Sequence, residues 1–420
     1  MKVYLRTFGC RANHYDTEVV RAMLETSGHA IVSSPADADV ALFNSCAVTS
    51  EAEAELRKVV RHAARQRPAL RSVVMGCAAA LDNDRADTLR IRSLPTVERV
   101  IAGADLPAIA DALDLSPAAM TVLTRTQTGA RALLRIQDGC DEHCTFCATT
   151  LARGANRSRP LGALVDEAGA LGERHAEIVI TGIHIGTYGA DIGSSLGALM
   201  TRLVRDVANV RFRLSSIEAT EIDDALVELF VGAPQSLVPH VHAPLQSGSD
   251  RVLRRMGRHW YSATSYASAI ERLAARMPML GLGADVIAGF PGETQQEHEA
   301  TLALIEQLPF TYLHVFPYSR RLGTAADRLR DHLAPPVIAT RAAELRALAD
   351  RKAAAYRASR SGGTADVIVI GGQGGRRERD AMTADYLSVF PTDPALPRGA
   401  RFTARLALEL DRLLAVPIDQ

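Results

Sequence analysis

The chain has 420 residues, of which 47% are hydrophobic and 23% charged, too long for one core and too apolar for disorder. Basic and acidic residues balance at 48 each, so net charge points to no acidic partner. Only Lys2, Lys58 and Lys352 are lysines; no apolar run approaches the ~20 residues of a membrane span, and the opening MKVYLRTFGC lacks a leader's apolar stretch, which predicts a cytoplasmic protein.

Three strand–loop units open the chain. Val3 to Thr7 reads as a strand running into Gly9-Cys10, Asp39 to Phe43 as one running into Cys46, and Ser72 to Met75 as one running into Gly76-Cys77. Helical stretches separate them: Asp16 is placed as the cap of a helix that Gly28 ends, and Ser50 to Glu53 as a capping box for the next. This alternation predicts a doubly wound parallel sheet, whose loops at the carboxyl ends of the strands share one edge. Cys10, Cys46 and Cys77 all fall on that edge, where they can converge on one metal group. Three ordinary buried cysteines are the competing reading.

Next comes a C-x3-C-x2-C loop, Cys140, Cys144 and Cys147, after which no cysteine occurs. In a long chain without a leader, such clustering points to ligands rather than disulfides. Three thiolates on one short loop can hold three irons of a 4Fe–4S cube and leave the fourth open, as a catalytic metal site requires. A zinc site or an electron-transfer cluster is the alternative.

From about residue 130 to 350 the strand–helix unit repeats, predicting an incomplete α/β barrel. Glu177 to Ile180 ends at Thr181-Gly182, and Arg211 to Ser215 at Ser216 and Glu218; His240 to Leu245 leads to Gln246, and Ala284 to Ala288, with Ile287, to Gly289. Carboxyl ends of barrel strands are where this architecture places chemistry. Gly182 and Gly289 read as turn glycines, and His240 and His242 as barrel filling or hydrogen-bonded structure rather than metal ligands. Arginines cluster at Arg157 and Arg159, at Arg251, Arg254, Arg255 and Arg258, and at Arg376, Arg377 and Arg379. Trp260 and Tyr261 follow the second cluster and could stack on unpaired bases; a solvated helix face is the alternative.

A helix around Ala339 to Arg360 stops at Gly362-Gly363. Thr364 to Ile370 and Phe402 to Leu410 then alternate as half-buried strands do, with Phe402, Ala404, Leu406, Leu408 and Leu410 on one face. Together with Tyr386, Leu387, Val389 and Phe390 they predict a small antiparallel β-barrel. The expected domains are 1–120, 126–355 and 362–420, an α/β chain with a β-barrel at its end.

The cysteine spacing, with Phe146 before the last thiol, resembles that of the radical S-adenosylmethionine (SAM) enzymes. Thr7 to Glu18, Asn44 to Thr49 and Met75 to Cys77 resemble the cluster segments of the methylthiotransferases, which carry an N-terminal cluster domain, a radical-SAM core and a TRAM domain. Ala47-Val48-Thr49, Leu214 to Glu218 and Thr181 to Gly189 are most similar to the branch acting on threonylcarbamoyladenosine, beside the anticodon of transfer RNA. The resemblance implies two 4Fe–4S clusters, on Cys10/Cys46/Cys77 and Cys140/Cys144/Cys147, and SAM contacts at Phe146, Thr181, Gly182, Ser216, Glu218, Gln246, Ile287 and Gly289. It implies a tRNA anticodon stem-loop held by Arg157, Arg159, Arg254, Arg255 and Arg258, and a flavodoxin or ferredoxin as reductant.

The implied reaction replaces C–H by C–SCH3 at carbon 2 of adenine. One SAM methylates sulfur held at the first trio; a second, cleaved at the other trio, yields the 5′-deoxyadenosyl radical that takes the hydrogen. The two trios must then face each other across the substrate. One stretch, Ala148-Thr149-Thr150-Leu151, stands where the family usually has a proline, and this leaves the same chemistry on a protein or peptide side chain as an alternative. The remoter alternative is a non-enzymatic iron–sulfur or zinc protein that binds RNA. Walker, dinucleotide and G-x-S-x-G motifs are missing.

Overall fold

The computed structural model describes residues 1–47, 50–82, 90–116, 126–321, 323–371 and 380–418. The first sheet has five parallel strands in the order Ala30–Val32, Lys2–Thr7, Val40–Ser45, Arg71–Gly76, Val97–Ala102. Its central strand Val40–Ser45 is buried along its whole length, as a strand covered by helices on both faces must be. Alternate side chains feed opposite faces. Ala41, Phe43 and Val74 pack with Leu56 and Val60 of helix Ser50–Gln66. Val40, Leu42 and Val73 pack with Val20 and Leu24 of helix Arg11–Thr26 and with Ile109 of helix Leu106–Ala112.

Asp16 does not cap the first helix. That helix starts five residues earlier, with Cys10 as its N-cap, and Asp16 is a buried residue in its interior. Its carboxylate pairs with Arg153, at 2.8 Å, and with Arg135, so it serves the domain junction rather than a helix end. Gly28, with φ +74°, follows the C-cap Ser27. The side chain of the Ser50 capping box and the Val48-Thr49 pair lie outside the described residues.

The middle of the chain forms six parallel strands in the spatial order Ala132–Arg135, Glu177–Thr181, Arg211–Leu214, His240–His242, Gly281–Ala288, Tyr312–Pro317. Bridges Phe212 to Leu237 and Ser216 to His242 join the two halves. Among the described residues no pairing returns the last strand to the first, so the barrel is partial. One large core lies between these strands and the outer helices.

Five short strands, Thr364–Val369, Ala381–Thr383, Ser388–Pro391, Arg401–Glu409 and Arg412–Pro417, close a small barrel. Four of its seams are antiparallel; Ser388–Pro391 pairs with Arg412–Pro417 in parallel. The inward alternation ends sooner than expected. Ala404 and Leu406 are buried, whereas Leu408 is 38% and Leu410 98% exposed. Leu410 (φ +44°) and Asp411 (φ +63°) form a tight hairpin turn instead of strand, the left-handed pair that the right-handed strand twist favours. No helix among the described residues is long and apolar enough to cross a membrane.

Glu177 locks the two barrels together. It is fully buried, with Arg211 Nε at 2.6 Å, Arg213 Nε at 2.8 Å and Arg131 Nη1 at 3.3 Å. Arg211 also donates to the Asp366 carbonyl, and Arg213 to the Thr383 and Ala384 carbonyls, on the small barrel. Burial would raise the Glu177 pKa, but Arg213 and Arg211 outweigh it and hold the carboxyl well below its usual range.

Candidate functional site

Cys10, Cys46 and Cys77 follow three adjacent strands and sit together at the carboxyl edge of the first sheet. Asn13, one helical turn after Cys10, organises them. Its Nδ2 donates to the Phe8 and Ser45 carbonyls, at 3.0 and 2.8 Å, so its Oδ1 faces the thiols of Cys10 at 3.8 Å and Cys77 at 3.9 Å. Gly9, at φ +99°, lets this loop close: a Cβ there would meet the Cys46 Sγ at 2.6 Å.

The second trio rides a loop pinned in the middle. Thr145 N donates to the Met256 carbonyl and the Thr145 carbonyl accepts from Ala326 N, both at 2.8 Å; Phe146 packs edge-on against Phe290. Cys140 Sγ lies 3.6 Å from His184 Nδ1, and Cys144 Sγ 3.6 Å from Arg258 Nη1. Gly139 (φ +73°) begins the loop with its α-carbon against the Ala155 carbonyl oxygen, where a Cβ has no room. Gly139→Ala is therefore expected to displace Cys140 and lower bound iron from about eight to about four per chain, as counted by iron and sulfide analysis.

Burial pushes the Cys77 thiol up to about 11 and the Cys144 thiol to about 12, with Arg153 and Arg258 acting in the opposite sense. Metal binding at such thiols must release their protons. His184 loses proton affinity to burial, but its contacts with Cys140 and Glu221 outweigh that and bring it to about 10. Among the described residues only His242, Asp285 and His314 bring three ligand atoms within 4.8 Å of one another. Neither cysteine trio closes that tightly, as a single tetrahedral zinc with Zn–S bonds of about 2.3 Å would demand. All six cysteines are free of disulfides. Two sets of three thiols, wider than one ion needs, fit cysteine-held iron–sulfur cubes.

Both trios open on the space between the first domain and the partial barrel. Cys10 and Cys46 line a cavity of about 570 Å³ with Thr181, Gly182, Ser216, His240, His242 and Tyr386. Cys77 and Cys147 share a smaller one of about 130 Å³ with Ala148 and Thr149 of the departing stretch. Phe146, Gln246 and Ile287 line a third, of about 440 Å³, which has Asp285 and Phe316 in common with the first. Glu218 is buried under its ion pair with Arg258. Gly289 (φ +75°) makes a turn against Ile338, whereas Gly182 has no positive φ and is needed for closeness: a Cβ would meet Gln137 Oε1 at 2.9 Å.

The expected RNA-facing arginines divide. Arg157 and Arg254 are exposed. Arg255 reaches Asp331 at 2.6 Å. Arg159 turns inward to Glu167 at 2.6 Å and to Tyr15 at 2.9 Å, and Arg258 is buried among Glu218, Trp260 and Tyr261. Tyr261 is buried too, its hydroxyl donating to the Leu245 carbonyl, so it presents no face to a base. Arg376, Arg377 and Arg379 lie outside the described residues.

Three residues of the site carry no local signal. Arg153 is buried at the junction, with Nε 3.3 Å from Cys77 Sγ, Nη2 2.8 Å from both Asn13 Oδ1 and Asp16 Oδ2, and Nη1 2.9 Å from Asp138. Tyr386, in a turn at φ +71° rather than a strand, brings the small barrel into the 570 Å³ cavity, stacked 4.2 Å from His240. Tyr312 joins His240 and His242 through its hydroxyl, at 2.8 and 3.0 Å. Of the two readings of these histidines, the hydrogen-bonded one holds, and both line the cavity wall.

Two family models match: the Uncharacterized protein family UPF0004 over residues 2–93 and the Radical SAM superfamily over residues 134–305. The chain is similar to the threonylcarbamoyladenosine tRNA methylthiotransferase MtaB of Rickettsia prowazekii, 36% identical over 339 residues and 77% of each chain. It is 35% identical to that of Bacillus subtilis over 374 residues, 84% of this chain and 81% of the other. To the tRNA-2-methylthio-N(6)-dimethylallyladenosine synthase of Kineococcus radiotolerans it is 32% identical over 433 residues, 94% and 83% of the two chains. Among solved structures, the radical S-adenosylmethionine methyltransferase TsrM from Kitasatospora setae shares the fold, with TM-score 0.56 and 14% identity over 78% of this chain and 75% of that one.

Proposed function

The chain belongs to the radical-SAM methylthiotransferase family, and from that premise we propose that its acceptor is threonylcarbamoyladenosine beside the anticodon of tRNA, methylthiolated at carbon 2 of the adenine. It is an enzyme that uses 4Fe–4S clusters and SAM. The acceptor named for the Rickettsia and Bacillus relatives, at 36% and 35% identity, supports the choice of nucleoside. The observation that carries the rest is the shared cavity: Cys10 and Cys46 border the same space as Thr181, Gly182 and Ser216, and Cys77 borders another with Cys147.

In this reading Cys140, Cys144 and Cys147 hold one cluster and Cys10, Cys46 and Cys77 the other. With SAM bound, these groups supply one-electron bond cleavage and a methylated sulfur, which an unactivated C–H bond requires. The protein supplies placement. Phe146, Gln246 and Ile287 would form one wall for SAM, and Thr181 and Gly182 would receive its methionyl group. Asn13 orients two thiols, and the closed junction around Arg153 keeps water from the reacting groups. Arg157 and Arg254 contribute to the RNA-facing surface. The domains divide at 1–120, 126–355 and 362–420, the electron comes from a reductant such as flavodoxin or ferredoxin, and the setting is the cytoplasm.

Anaerobic turnover with an anticodon stem-loop carrying threonylcarbamoyladenosine tests the acceptor. The product is expected to gain one S–CH3 in place of one hydrogen by mass spectrometry, with the stem-loop bearing unmodified adenosine left unchanged. If no stem-loop is modified while a ribosomal protein or peptide is, the acceptor is polypeptide.

A further inference from the structure

We propose that Arg11 is the receptor for an anionic group on the acceptor, the carboxylate of its threonylcarbamoyl side chain, and so selects which modified adenosine the enzyme takes. This rests on the acceptor proposed above. Arg11 is the only lysine or arginine lining the 570 Å³ cavity among the described residues. The one carboxylate there, Asp285, is already held by His242 at 3.0 Å and His314 at 3.2 Å. The buried arginines nearby are spoken for as well: Arg213 pairs with Glu177 and Arg258 with Glu218.

Arg11 has no such partner. Among the described residues no carboxylate lies within 4.0 Å of its guanidinium, and its side-chain hydrogen bond is Nη2 to the Tyr386 hydroxyl at 3.4 Å. It also borders a second cavity with Glu18, but Glu18 is engaged by Arg21 at 3.6 Å and by Thr128. The contact with Tyr386 keeps the guanidinium on the side of the larger cavity. Arg11 opens the helix Arg11–Thr26, whose first turn has no acidic residue, so the backbone there adds to the positive potential.

The position suits the chemistry. The N6 side chain is attached to the same six-membered ring that contains the reacting carbon 2, so a receptor next to Cys10 can hold the first while the second lies near the thiol trio. His240 stacks with both Tyr386 and Tyr312, and Tyr386 lies tilted 5.0 Å from Tyr312, an aromatic wall of the kind that holds a splayed base. An uncharged dimethylallyl group in the same place would leave the guanidinium desolvated without a partner. Sites built for a polar group reject analogues lacking it for that reason.

The test uses the anaerobically reconstituted enzyme and three labelled stem-loops, bearing threonylcarbamoyladenosine, its methyl ester, or dimethylallyladenosine. Binding is read by fluorescence anisotropy, and methylthiolation alongside. The wild type is expected to bind the acid roughly 10- to 100-fold more tightly than the ester, the range for a hydrogen bond to a charged group. Arg11→Gln is expected to bring that ratio to about one, and Arg11→Lys to restore most of it. Equal ratios in wild type and Arg11→Gln would overturn the inference. Should Arg11→Gln fail to fold, the wild-type comparison still decides, since an ester bound as tightly as the acid also overturns it. A wild type that leaves the acid stem-loop unmodified instead sinks the choice of nucleoside.

Discussion

Cys140→Ala is expected to abolish reductive cleavage of SAM and to halve bound iron, from about eight to about four per chain. The reason is geometric. Cys140 is fixed at the start of its loop by its own N–H, which donates to the Gly154 carbonyl at 3.0 Å, and by the crowding of Gly139 on Ala155. His184 lies beside the thiol but is tied on its far nitrogen to Glu221 at 2.8 Å, so it does not swing in as a substitute ligand. Iron and sulfide analysis, with chromatography of 5′-deoxyadenosine formed under dithionite, reads the result. Cys46→Ala should show the reverse pattern: SAM cleavage kept, methylthiolated product lost. Undiminished 5′-deoxyadenosine from Cys140→Ala would remove this loop from the mechanism.

The second large effect is on stability. Glu177→Leu leaves Arg211 and Arg213 fully buried without their counter-ion, and breaking a buried pair from one side costs about 3–5 kcal/mol. These guanidinium groups also bind the carbonyls of the small barrel, so the loss should loosen that barrel first. A lower thermal midpoint and faster proteolytic cutting near Gly362 are the expected readings. Glu177→Gln, which keeps hydrogen-bonding capacity but not the charge, should fall between. A Glu177→Leu protein as heat-stable and protease-resistant as wild type would mean that apolar packing alone joins the barrels.

Much of the architecture is local in origin and was therefore open to reading from the amino-acid order. Strand periodicity, the loop after each strand and the C-x3-C-x2-C spacing are short-range patterns, and a parallel sheet necessarily collects its carboxyl-end loops on one edge. What such patterns cannot carry is the partner of a charge or ring. Asp16 reads as a helix cap because its neighbours suit one, yet its partner Arg153 lies 137 residues away. Arg258 and Tyr261 look like an exposed basic and aromatic pair, but Glu218 and the Leu245 carbonyl draw both inward. Tyr386 reads as strand, and its left-handed turn is legible only once the small barrel is docked on Arg211 and Arg213.

The amino-acid order by itself thus determined the succession of parallel sheet, partial barrel and small β-barrel, and the grouping of six thiols into two trios, because backbone hydrogen bonding and side-chain periodicity act over a few residues. The tertiary structure alone decided which arginines are buried clamps, that the arginine lining the central cavity has no counter-ion among the described residues, and that the last barrel supplies a wall of that cavity. Ion pairing and desolvation depend on distance in space, and residues more than a hundred positions apart set those distances here.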